Sequence, residues 1–277
     1  MMKLEILKHM SQNLDSTEYN HVFKLLEELE ITYVMDFYIP KGTLISRIRQ
    51  SKIVPFKREN QISYNPTPTD YGRANIPNEP IFYGSFQGPQ MLDTLDTNFC
   101  EWMNIFNKKS LNEIGFPKDF TAGFWEVQEN LPILPIIYGS AYKKRFPLFD
   151  QLKENYEKHE GVTEASKSII EFLSNEFSKA NINNPNIDYK ITAAFSELIR
   201  NRVGDKFPAI LYPSVRAADD GCNVAITPDG VKRYLKLKRV ETFTAYDNKG
   251  SLRLEKKKIV TKINPDGTFE LPSISNL

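Results

Sequence analysis

The apolar residues of this chain change period repeatedly and never settle into a strand–helix–strand unit. Helical spacing at Val22, Phe23, Leu25, Leu26 and Leu29 gives way to alternation in residues 37–55 and to the short run IFYGSF. Apolar strands at 120–139, three helical stretches, two further strands and a last alternating segment follow. A doubly wound sheet requires a regular alternation of strands and crossover helices. Its absence predicts an α+β fold, a mixed β core with surrounding helices.

Local signals set the boundaries. Residues 16–31 open on Ser16, Thr17 and Glu18 and read as an amphipathic helix. Residues 37–55 hold two β-like runs around Lys41-Gly42, and the Pro-, Asn- and Asp-rich 56–80 reads as loop. A helix is expected over 89–105, strands in FTAGFWEV and LPILPIIYG, and helices over 146–159, 162–180 (capped by Thr163) and 189–203. FPAILYPSV and NVAIT read as strands, and Asp229-Gly230 leads into a short helix or strand. Residues 238–271 alternate around an Asn-Lys-Gly and an Asp-Gly turn, which predicts a β-meander or hairpin pair whose lysine run, Lys256–Lys258, lies on a solvated strand edge. The expected organisation is an N-terminal helical extension (1–37), a central domain (38–236) and a C-terminal β extension (237–277).

A net charge of +1 over 277 residues, from 36 basic and 35 acidic side chains, argues against direct nucleic-acid binding but leaves room for a local anion pocket. The most apolar run, LPILPIIYGSA, is short and broken by Pro132 and Pro135, so no membrane span is expected. The N-terminus lacks the pattern of a signal peptide. Cys100 and Cys222 stand far apart, outside any CxxC motif, and a reduced, cytoplasmic setting is the expectation.

Several chemistries lack their motifs. The chain has no GxGxxG, no GxxxxGK[ST] and no GxSxG. His9, His21 and His159 have no metal-ligand spacing, so no metal is expected and general-base chemistry would fall to carboxylates or an unusual group. Four segments carry polar groups in strand-like or turn-like settings: SRIRQ, GRAN, FYGS and YPSVRAADDGCNVAI. Arg47 and Arg49 alternate with Ile48 and share one strand face, where an anion between them would relieve their repulsion; an exposed basic edge is the simpler alternative. Arg73 follows a glycine, in a setting that suits either a fixed or a solvated arginine. Phe82 and Tyr83 point to opposite faces, so one ring is core and the other is free to line a cleft. Ser214, at the end of an apolar run, is placed either to bond a ligand or to cap a turn. Ser85 is assigned a backbone or turn role.

Taken in order, "SRIR", "GRAN…PIFYGS", "FTAGFWEV", "DYKITAAFSELI" and "AILYPSVRAADDGCNVAITPD" resemble the RES domain family across roughly residues 40–235. The resemblance implies an ADP-ribosyltransferase-like core and a toxin that consumes NAD+ by breaking the bond to nicotinamide, neutralised by an antitoxin protein. NAD+ would be substrate rather than a resident cofactor. By the resemblance, Arg47 (or Arg49 in its stead) and Arg73 would bind phosphate, Tyr83 would pack on nicotinamide or ribose, and Ser214 would orient the nicotinamide-ribose end.

The family's glutamate falls at Thr94 in GPQMLDTLDTNF, flanked by Asp93 and Asp96, with Glu101 further on. Such a carboxylate stabilises the positive charge growing on the ribose, and its loss costs ~10²–10³ in rate. Three alternatives follow: Asp93 or Asp96 substitutes, Glu101 reaches in, or the site is catalytically weak. In the last case the chain would be a nucleotide-binding or protein-interaction domain on the same fold.

Overall fold

In a computed structural model, residues 2–34, 36–51, 56–86, 115–139, 147–179, 182–204, 208–214, 221–248 and 251–271 are described. The chain enters through helix α1 (Met2–Ser11), which turns Leu4 and Leu7 inward. A 3₁₀ turn at Leu14–Ser16 precedes α2 (Tyr19–Glu27), which buries Val22, Leu25 and Leu26. The helix expected over 16–31 is thus shorter at both ends. At its start the Ser16 and Thr17 hydroxyls donate back to the Asn13 carbonyl, and that local bonding competes with helix.

Strands β1 (Tyr38–Ile39) and β2 (Leu44–Gln50) flank the turn at Gly42, whose φ of +86° favours glycine. Within 56–80, read as loop, lies a one-turn helix, α3 (Glu59–Ile62). The Gln61 side chain accepts from the backbone amides of Lys57 and Arg58 and so closes its first turn. Then follow β3 (Phe82–Phe86), β4 (Lys118–Val127), β5 (Leu131–Pro132) and β6 (Leu134–Pro135). The helices α4 (Pro147–Lys158), α5 (Glu164–Phe177), α6 (Pro185–Asp188) and α7 (Lys190–Val203) come next. As expected, Thr163 caps α5, its hydroxyl accepting from the Ser166 amide at 3.1 Å. β7 (Ala209–Pro213), β8 (Cys222–Ile226), α8 (Pro228–Tyr234), β9 (Leu235–Asn248) and β10 (Ser251–Val260) complete the chain.

The described strands form a sheet in the order β10-β9-β4-β2-β3-β8-β7-β6, antiparallel throughout except for β6 beside β7, and a small β1-β5 pair. With helices on its flanks this is the α+β architecture the sequence predicts. Helices α1, α2, α5 and α7 pack on one face, where Ile191, Ala194, Phe195, Leu198 and Ile199 of α7 recur at helical spacing. Ile45, Phe82, Trp125, Leu211 and Val224 line the other face. β7 and β8 are buried on both sides, which explains their continuous apolar runs. The N-terminal helices share a core with α5 and α7, and β9 runs alongside β4 from Val127–Leu235 to Lys118–Ala245, so the hairpin widens the central sheet. Lys256–Lys258 lie on the edge strand β10, at a bulge. The Asp266-Gly267 turn carries an isolated bridge, Thr268 to Arg58, in place of a strand pair, and Phe269 beside it is 1% exposed.

No helix among the described residues is long and apolar enough to cross a membrane.

Candidate functional site at a split in the sheet

β2 runs beside β4 over its whole length, from Leu44–Glu126 to Gln50–Phe120. It meets β3 only at Ile45–Phe86 and Ser46–Ser85. Beyond Ser46 the two central strands part, and Arg47 stands at the opening. Its Nη1 donates to the Tyr83 carbonyl at 2.5 Å, so a side chain spans the gap where the ladder stops.

Strand alternation sets Ile45, Arg47 and Arg49 on one face, opposite Trp125, Gly123 and Thr121 of β4. The Trp125 indole folds over Gly123, where a Cβ would strike the ring and come within 3.1 Å of Ile62 Cδ1. The indole also meets Phe82 edge-on at 4.9 Å, and the Arg47 guanidinium lies over that Phe82 ring at 5.5 Å. Arg47 Nε and Arg49 Nε and Nη2 all donate to the Ser63 carbonyl, at 3.1, 3.0 and 2.6 Å. Neither arginine is ion-paired with a described carboxylate. Burial, reinforced by Arg49, pushes Arg47 down to about 9, while the hydroxyls of Tyr83 and Tyr212 act the other way. Burial lowers Arg49 as well. Both cations wall a cleft of about 600 Å³ with Gln50, Gln61, Tyr64 and Asn65. Both arginines are partly buried, and the acceptors they have among the described residues are the Ser63 and Tyr83 carbonyls, so an anion between them would relieve their repulsion.

The opposite face of the split is polar and closed. Ser46, Ser85 and Asn223 lie side by side on adjacent strands, followed by Tyr212, with Ser214 two residues further on, just past the end of β7. All five are buried. The Ser85 hydroxyl donates to Asn223 Oδ1 at 2.9 Å, and the Ser214 amide donates to the Gly221 carbonyl at 2.8 Å. A polar row at this depth is uncommon in a sheet core and marks a built feature.

The structure brings Arg47 and Arg49 together and sets Ser214 on the polar row across the split. Arg73 is held elsewhere. It is 8% exposed, donates to the carbonyls of Phe177 and Lys179 at 2.7 and 2.9 Å, and lies 5.1 Å from the Tyr189 ring centroid. It therefore caps the C-terminus of α5, where carbonyls are unpaired and the helix dipole favours a cation. The Tyr83 ring packs towards the helices, and its hydroxyl donates to Asn75 Oδ1 at 2.7 Å while accepting from the Ala74 amide at 2.8 Å. A Cβ at Gly72 would come within 2.6 Å of that hydroxyl, so the glycine is required by the close approach. Asp93, Asp96, Thr94, Glu101 and the helix expected over 89–105 lie outside the described residues. Sequence reasoning missed Tyr64, Gln61 and the Ser63 carbonyl, which sit in a Pro- and Asn-rich stretch without period. The capping glutamine of α3 was the one local signal there.

The fold and site together define a class: an α+β protein whose mixed sheet splits beside a cleft walled by two arginines. No family model matches the chain, and no curated protein matches its sequence.

Proposed function

We propose that this chain is a RES-like, toxin-type enzyme on an ADP-ribosyltransferase-like core that binds NAD+ and breaks the bond between nicotinamide and ribose. The observation that carries this reading is the Arg47–Arg49 pair, two desolvated cations on a cleft wall with no described carboxylate beside them. A pyrophosphate supplies the paired negative charge that such a wall accepts. Bond cleavage leaves the electron pair on the nicotinamide nitrogen, which neutralises its ring. The anomeric carbon gains positive charge and takes an oxygen from water, phosphate or a protein side chain, which then releases a proton.

In this reading Arg47 and Arg49 hold the pyrophosphate, and Ser214, with the buried row on the opposite face, orients the nicotinamide-ribose end indirectly by fixing the ends of β7 and β8. Asp93 or Asp96 supplies the carboxylate that faces the developing charge. Arg73 and Tyr83 fix the wall by holding α5 and the 72–75 turn. An antitoxin protein would block the cleft. Incubation of the purified chain with NAD+, with and without phosphate, is expected to release nicotinamide, and Arg49→Gln to suppress the release. No release at high enzyme concentration overturns the reading.

Thr94 at the family's glutamate position favours a second reading, in which NAD+ binds and is not turned over. Calorimetric binding with intact ligand recovered afterwards would establish it.

A further inference from the structure

The C-terminal turn at Asn264–Thr268 docks against the start of α3. The Glu59 amide donates to the Gly267 carbonyl and the Phe269 amide to the Lys57 carbonyl, both at 2.9 Å, and the Asn264 amide closes the turn on Thr268 at 2.9 Å. Between this turn, α3 and α8 lies a second cavity of about 640 Å³. It shares Asn60, Tyr64 and Pro66 with the arginine cleft, so the two chambers adjoin across one wall. Their chemistry differs. The first presents Arg47 and Arg49, whereas the second presents two carboxylates, Glu59 and Asp266, together with the cations Arg58 and Lys232. Asp266 Oδ1 accepts from the Thr268 amide and hydroxyl at 3.1 and 2.7 Å, which fixes the carboxylate and leaves Oδ2 without a hydrogen bond among the described residues. Glu59 Oε1 takes only the long 3.4 Å contact from Trp125 Nε1.

From this adjacency we infer that the second chamber is the nucleoside half of a bipartite site, holding the ribose hydroxyls on Glu59 and Asp266 and the base against Tyr64. The ligand class is a dinucleotide or ADP-ribose-like molecule whose pyrophosphate lies on Arg47 and Arg49, so the inference rests on the anion reading of that cleft. Three observations support the assignment. Each chamber has the volume of an ordinary small-molecule pocket. Carboxylates accept from a ribose diol, as acidic residues do in dinucleotide sites. The shared Tyr64 offers a ring on which a base can stack. The C-terminal segment thereby becomes part of the binding site.

The test is calorimetric titration of the full chain with inorganic pyrophosphate and with ADP-ribose, with nicotinamide release from NAD+ measured on the same preparations. ADP-ribose is expected to bind at least about tenfold more tightly than pyrophosphate, the worth of one or two hydrogen bonds to a charged group. Glu59→Gln and Asp266→Asn, which line the second chamber and not the arginine cleft, are each expected to remove that advantage while leaving pyrophosphate affinity unchanged. If both variants keep the wild-type advantage, or if the wild type shows none, the inference is overturned, whatever the nicotinamide assay reads. Variant-sensitive ADP-ribose binding without nicotinamide release upholds the second chamber and removes the cleavage reading alone. Failure to bind either probe overturns both.

Discussion

Arg47 and Arg49 donate to the same atom, the carbonyl oxygen of Ser63, at 3.1 Å from Arg47 Nε and 2.6 Å from Arg49 Nη2. Apart from the Tyr83 carbonyl that Arg47 also reaches, the two partly buried guanidinium ions share this neutral acceptor only, and an anion between them offsets their mutual repulsion and desolvation. Inorganic pyrophosphate should therefore raise the melting temperature of the wild type. A hundredfold excess over Kd corresponds to about 2.7 kcal/mol of added stability. Arg49→Gln should lose most of this shift and, without ligand at low salt, should melt no lower than the wild type. Equal pyrophosphate shifts in the two proteins would remove the anion site.

The same arrangement sets a pH dependence. Arg47 is pushed down to about 9, first by burial and then by Arg49. In the unfolded chain it keeps its proton up to the ordinary arginine range. The group's contribution to stability is therefore unfavourable below pH 9 and relaxes as the folded form loses its proton above that. Binding of an anion runs the other way, since it needs the cation. Affinity for ADP-ribose, whose pyrophosphate diester keeps a constant charge over this range, should be flat across neutral pH and fall above about pH 9, by at most about tenfold per pH unit for one proton. Calorimetry from pH 7 to 10 measures the slope, and Arg47→Gln should flatten it.

Arg73 presents a contrasting case. Its two bonds to the Phe177 and Lys179 carbonyls and its stack on Tyr189 make it a buried cap for α5. Arg73→Ala would leave those carbonyls without their charged donor, at a cost of about 3 kcal/mol. Urea denaturation should show that loss, while pyrophosphate affinity of the folded fraction stays at the wild-type level. A large loss of affinity with unchanged stability would place Arg73 in the anion site.

These two arginines show what the sequence could reveal. The alternation in SRIRQ was legible, and it correctly set Arg47 and Arg49 on one face. FYGSF, FTAGFWEV and the apolar runs of β7 and β8 were readable because buried strands keep their composition whatever their neighbours. The Thr163 cap was readable because its partner, Ser166, lies three residues away. The split between β2 and β3 was not legible, since strand order is a long-range property with no local signature. The glycine before Arg73 leaves a fixed or a solvated side chain open and the resemblance makes it a phosphate ligand, yet its partners lie more than 100 residues away at the end of α5. Helix α1 had only Leu4 and Leu7 to mark it, and α3 is a single turn within a Pro- and Asn-rich stretch.

Gly123 pairs with Arg47 across β4 and β2. A Cβ there would collide with the Trp125 indole, which is already confined by Phe82 and Ile62. Gly123→Ala should destabilise the protein by about 1–3 kcal/mol, the usual cost of overpacking. With Trp102 replaced by Phe, the emission of Trp125 should shift to the red as the ring is displaced towards solvent. Unchanged emission and an unchanged melting temperature would show that the ring can move aside freely.

The last expectation concerns the carboxylate that completes the chemistry. The described residues supply cations and hydroxyls at the split, and no described carboxylate pairs with Arg47 or Arg49. Breaking the nicotinamide–ribose bond develops positive charge, so a carboxylate on that side would lower the barrier and would barely affect pyrophosphate binding. Of Asp93 and Asp96, the one in that role should lose about 10²–10³ in kcat on conversion to Asn, with little change in the affinity for ADP-ribose. The other should stay within a few-fold of the wild type. Nicotinamide release and ADP-ribose titration on D93N and D96N separate the two positions. If both variants cleave as the wild type does, the charge is stabilised by another group, with Glu101 the next residue to substitute. If the wild type itself releases nothing, Thr94→Glu should create activity, because it restores the carboxylate at the position where the resembling family carries one.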